Sequence, residues 1–88
     1  MINNETIFIT GGTGSLGTAI VKYLYTHYTP KKVIVYSRDE FKQSEMQKRF
    51  AMPEQYDTLR FFIGDVRDER RLSRAMHGTD YVIHAAAL

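Results

Sequence analysis

Four short runs of the chain are almost continuously apolar, at residues 6–10, 32–36, 59–64 and 81–85. Each is strand-sized and rich in β-branched or aromatic residues, the pattern of strands buried on both faces of a parallel sheet. Between them the apolar positions change period. Leu16, Ile20, Tyr23, Leu24 and His27 recur at i, i+4, i+7, i+8 and i+11, which marks one face of a helix. Phe41, Met46 and Phe50 predict a second helix, and Leu72, Ala75 and Met76 a third. Ser37 and Glu40 have capping-box spacing at the start of the second, and His77-Gly78 supplies a C-terminal cap for the third. The order βαβαβαβ predicts right-handed crossovers in an α/β, Rossmann-type fold. It corresponds to the N-terminal half of a doubly wound parallel sheet, with strand order 3-2-1-4.

Candidate chemistry falls where strands hand over to helices. Residues 10–17 read TGGTGSLG between the first strand and the first helix. Glycines at that corner let the backbone turn sharply and approach a pyrophosphate, which the helix N-terminus then attracts through free N–H groups and partial positive charge. Gly17 lets the helix pack closely on the strand. A tight turn without a ligand is the alternative, but strand, loop, helix and second strand follow in the order the motif requires.

At the end of the second strand, an NAD-type site places an acid that holds the ribose hydroxyls. Here Ser37 and Arg38 stand in that place, with Lys42 one helical turn on. A hydroxyl and a guanidinium suit a 2′-phosphate, which favours NADP over NAD. Asp39 dissents, since it suits a ribose and repels a phosphate; Ser37 also reads as a plain helix cap. Asp65, ending the third strand in Gly64-Asp65-Val66, reads either as an acceptor for the adenine amine or as a helix N-terminal acid, a role Asp68 can fill instead. Ala85, Ala86 and Ala87 are small enough for a dinucleotide to lie across the fourth strand's end, and equally suit close helix packing.

Composition narrows the classes. The 88 residues suffice for one small domain, and 43% hydrophobic with 25% charged residues is ordinary globular content. Cysteine is absent, which excludes a disulfide scaffold and thiolate metal sites and suits a reducing, cytoplasmic setting. The polar opening MINNET predicts no secretory signal, and no apolar run approaches the ~20 residues of a membrane helix. A formal charge of +2 is spread among interleaved acids, so no nucleic-acid partner is expected. His27, His77 and His84 have no partner at metal-ligand spacing, and no metal is expected. Tyr28 and Lys32 mimic a Tyr-x-x-x-Lys pair, but Pro30 between them denies the shared helix face that such chemistry needs.

TGGTGSLG, IVYSRDEFKQSEM, RFFIGDVRDERRL and IHAAAL together resemble the extended short-chain dehydrogenase/reductase family. More narrowly they resemble the N-terminal part of the inverting UDP-N-acetylglucosamine 4,6-dehydratases, also called capsular polysaccharide biosynthesis proteins. The resemblance implies that residues 1–88 are the NADP-binding portion of a redox-neutral lyase. NADP would accept hydride from C4 of the sugar, water would leave across C5 and C6, and the hydride would return to C6. It implies cofactor contacts from Thr13, Gly14, Ser15, Leu16, Ser37, Arg38, Asp39, Lys42, Asp65, Val66 and Ala85, to which the loop adds Gly11 and the fourth strand's end adds Ala86. The family's catalytic residues lie beyond residue 88, so no catalytic residue is assigned here. The expected partners are a UDP-sugar and further copies of the same chain, with no membrane. An epimerase or reductase of the same superfamily, or a non-catalytic NADP-sensing domain, would share the glycine loop.

Overall fold

Strand and helix alternate along the chain as its periodicity predicts. The computed structural model describes residues 3–11 and 13–85. Within them run β1 (Thr6–Thr10), α1 (Ser15–His27), β2 (Lys32–Ser37), α2 (Glu40–Phe50), a single 3₁₀ turn at Glu54–Tyr56, β3 (Leu59–Ile63), α3 (Glu69–Ala75) and β4 (Tyr81–His84). The strands form one parallel sheet in the order β3-β2-β1-β4.

The continuous apolar runs are explained by burial on two faces. Ile7, Ile9, Val33, Val35 and Leu59 pack on one side against Val21 and Leu24 of α1 and Met46 and Phe50 of α2. The intervening Phe8, Ile34 and Tyr36 face the other side, against Ala75 of α3 with Leu72 and Met76 beside it. Ile7, Phe8, Ile9, Val33 and Val35 are fully buried, each contributing about 1.5–3 kcal/mol relative to exposure. The first two crossovers step in one direction along the sheet, so α1 and α2 share a face. The third steps back across β1, and right-handedness puts α3 on the opposite face. All strands therefore point their C-terminal ends at one rim, the rim where such sheets bind ligands.

Three sequence expectations need correction. The buried stripe of α1 is Gly17, Val21 and Leu24, while Leu16 and Tyr23 are 61% and 56% exposed. His27 is exposed as well, its ring tilted 42° against that of Tyr23 with centroids 4.4 Å apart. In α2 the stripe is Gln43, Met46 and Phe50, and Phe41 is exposed. The hydrophobicity pattern chose Phe41 because a buried glutamine has no apolar signature; its hydrogen bonds, described below, make the burial possible. The cap of α2 is Asp39, whose carboxylate accepts the Lys42 N–H at 2.9 Å. Ser37 is the last residue of β2 and lies too early to cap the helix.

β4 is the exposed margin. Tyr81 and Val82 are 41% and 50% exposed, and among the described residues no strand pairs with its outer edge. Its inner edge is tied to β1 at both ends. Asp80 accepts the Thr6 N–H at 2.8 Å, and the Thr10 hydroxyl meets the His84 Nδ1.

Candidate functional site

The three described strand-to-helix corners meet at the C-terminal rim. After β1 the chain turns at Gly11, whose φ of +65° an L side chain rarely adopts. The Gly11 N–H donates to the Tyr36 carbonyl at 2.8 Å, which holds the loop down on β2. Gly12 lies outside the described residues. Gly14 then caps α1 without a side chain, and the first turn of that helix carries no acid. A Cβ built on Gly14 meets nothing within 4 Å among the described residues, so they do not demand glycine there. Ser15 and Leu16 open the helix and are exposed.

The other two helices close their own ends. Asp39 caps α2, and Asp68 caps α3 by accepting the Arg71 N–H at 3.2 Å. Asp68 thus fills the helix N-terminal role, which leaves Asp65 to the loop. Asp65 accepts the Arg67 backbone N–H at 2.9 Å and the Arg67 side chain at 2.7–3.3 Å, while Arg38 reaches it only at 3.4 Å. The Arg67 side-chain hydrogen bonds, then its backbone N–H, hold the Asp65 carboxyl well below the usual carboxylate range, with Arg38 adding a smaller electrostatic contribution. Asp65 is therefore charged at any ordinary pH.

Beneath these loops the β2 and β3 ends are locked together. Tyr36 is fully buried, its phenol pushed up by burial, and it donates to the Asp65 carbonyl at 2.9 Å. Gly64 passes over that ring so closely that a Cβ would sit 2.3 Å from the phenol oxygen. Gln43, rising from α2, donates to the Phe62 carbonyl at 2.9 Å and to Ser37 at its carbonyl and hydroxyl.

The result is a cleft of about 440 Å³. Of the residues singled out in the sequence, Gly11, Thr13, Ser37, Arg38, Asp39, Lys42, Asp65 and Val66 line it. Thr13, Gly14, Ser15 and Lys42 line an adjoining open groove between α1 and α2. Leu16 is exposed at the start of α1, and Ala85 packs against the core with its N–H donating to Thr10. Ala86 and Ala87 lie outside the described residues. Sequence reasoning missed Tyr36, Gln43, Gly64 and Arg67. The Asp-x-Arg spacing of 65–67 could have shown the last, since a short acid readily accepts from the backbone two residues on. Among the described residues no group of three or more His, Asp or Glu could hold a metal. Nor is any helix long and apolar enough to cross a membrane.

Comparison with known proteins gives the chain's family and its structural neighbours. A family model described as polysaccharide biosynthesis protein matches residues 7–88. The whole chain is 54% identical to a UDP-N-acetylglucosamine 4,6-dehydratase (inverting) of Campylobacter jejuni and covers 25% of it. It is 45% identical over a 91-residue alignment to a UDP-glucose 4-epimerase of Rickettsia felis, covering 26% of that protein. The chain thus spans about a quarter of the length of the curated relatives it matches. Among solved structures, Pen from Bacillus thuringiensis superposes with a TM-score of 0.89 at 36% identity, over 99% of this chain and 27% of Pen. A dTDP-glucose 4,6-dehydratase from Bacillus anthracis, in complex with NAD, gives 0.71 at 20% identity, over 96% of this chain and 27% of its own, and speaks to the fold alone.

Proposed function

The chain belongs to the polysaccharide biosynthesis protein family, and from that premise we propose that it is the NADP-binding part of a nucleotide-sugar 4,6-dehydratase. The substrate on this reading is UDP-N-acetylglucosamine and the product a 4-keto-6-deoxy sugar inverted at C5, made in the cytoplasm for surface polysaccharide or glycan synthesis. One observation carries the reading. A glycine-lined helix start without its own cap sits beside a hydroxyl-and-guanidinium corner, in a chain 54% identical to an inverting dehydratase.

The residues fit a dinucleotide phosphate. The open space over Gly14 suits a pyrophosphate, and no N-cap side chain competes for the first N–H groups of α1. Ser37, Arg38 and Lys42 line one cleft and supply a hydroxyl, a guanidinium and an ammonium for a 2′-phosphate. The Asp39 carboxylate is engaged by the Lys42 N–H, so part of its charge is spent on the helix. On this reading Asp65, held ionised by Arg67, would accept from the adenine amine, with Val66 lining the same cleft. When bound, the nicotinamide supplies a transient hydride acceptor. This chain's residues bind and orient it, and proton transfer belongs to the remainder of the parent protein.

The 45% identity to a UDP-glucose 4-epimerase supports a second reading with the same cofactor corner. Incubating the intact protein with UDP-N-acetylglucosamine and following the sugar by proton NMR separates the two. A dehydratase gives a new C6 methyl signal. An epimerase keeps the C6 hydroxymethyl group and changes only the C4 couplings, and a sensing domain leaves the sugar untouched. We also read the parent protein as a homo-oligomer without a nucleic-acid or membrane partner.

A further inference from the structure

We propose that Gln43 is a positioning residue that turns Ser37 into a hydrogen-bond donor toward the nucleotide, and so helps to select the 2′-phosphate. Gln43 is 1% exposed, although it sits on a helix whose other side is solvated. Its amide nitrogen lies 2.9 Å from the Phe62 carbonyl, 3.2 Å from the Ser37 carbonyl and 3.1 Å from the Ser37 hydroxyl oxygen. Main-chain carbonyls only accept, so the end of the amide that faces them is its NH₂. An amide NH₂ does not accept, so the Ser37 hydroxyl cannot donate to Gln43; its oxygen shares the two amide hydrogens with the carbonyls, and its own hydrogen must point elsewhere. Among the described residues nothing accepts that hydrogen, and Ser37 lines the cleft beside Arg38.

A phosphate dianion offers acceptors only, and a hydroxyl set as a donor matches it better than it matches a neutral ribose hydroxyl. Gln43 thus acts through Ser37 without touching the ligand. The same three hydrogen bonds tie the ends of β2 and β3 to α2, which keeps Ser37 in register with Arg38 and Lys42.

This inference rests on the NADP reading, and the experiment separates the two. Calorimetry on the intact protein measures the affinities for NADP and NAD in the wild type, Gln43→Met, Ser37→Ala and the double variant. We expect the NADP-over-NAD preference to fall roughly tenfold in Gln43→Met, the scale of one hydrogen bond to a charged group. Ser37→Ala should fall as far, and the double variant no further. A purely structural glutamine would lower the melting temperature and leave the ratio alone. An unchanged ratio in folded Gln43→Met, or independent losses in the double variant, overturns the inference while the cofactor reading stands. A wild type with no preference removes both. Should Gln43→Met fail to fold, Gln43→Asn keeps a buried amide one methylene short and must show the same lost preference. In the wild type itself, the Gln43 side-chain amide signal should shift on adding NADP and stay still with NAD; the same shift with both nucleotides also overturns the inference.

Discussion

The N-termini of α1 and α2 occupy equivalent places, each following a parallel strand at the same rim, yet they are finished in opposite ways. α2 carries its own anion: Asp39 accepts the Lys42 N–H, and Glu40 stands in the first turn. α1 has Gly14 in place of a cap and no acid in its first turn. A helix start without a capping side chain leaves N–H groups for water or a ligand. At the α2 corner the Asp39 carboxylate takes the Lys42 N–H, and Ser37, Arg38 and Lys42 are the side chains that line the cleft there. On the proposed function, backbone would bind at one corner and side chains would choose at the other.

The comparison breaks most completely at Gly14. A valine there has room in the fold but occupies the space assigned to the pyrophosphate. Gly14→Val should weaken NADP and NAD alike by roughly a hundredfold or more, about 3 kcal/mol, with an unchanged circular dichroism spectrum. Retained binding would make the α1 corner a mere turn. Arg38→Ala acts at the other corner and should discriminate, costing NADP roughly tenfold to a hundredfold and NAD little. Its ion contact with Asp65 is long and exposed, so a melting curve should barely move. Asp39→Ala is the smallest and the sharpest. Loss of the cap should cost about 1 kcal/mol of stability in denaturant unfolding. NADP affinity should be kept, whereas a matching loss for both nucleotides would show that Asp39 holds the ribose.

Most of the fold was legible because burial on two faces makes parallel strands unmistakably apolar and α/β alternation leaves few topologies. The glycine corner was legible because its constraint is local: Gly11 needs its φ, and the helix begins within four residues. The side-chain corner was legible only in part. Ser37 looked like the cap because Ser-x-x-Glu spacing is shared by caps and by strand ends, and which residue caps depends on where β2 stops pairing with β3. That pairing runs to Ser37 and excludes it from the helix. Gln43 was invisible for another reason. Its partners at 37 and 62 come from two different strands, and no helical periodicity encodes a polar residue buried by tertiary hydrogen bonds. Arg67 was different: its Asp-x-Arg spacing with Asp65 is local and could have been read.

The most direct test of the division between the two corners is a pair of calorimetric titrations of the intact protein, with NADP and with NAD, at the same salt concentration. The account predicts binding of both nucleotides, with NADP tighter by roughly tenfold or more, and a gap that narrows as salt screens the phosphate contacts. Equal affinities at low salt, or tighter binding of NAD, would contradict it.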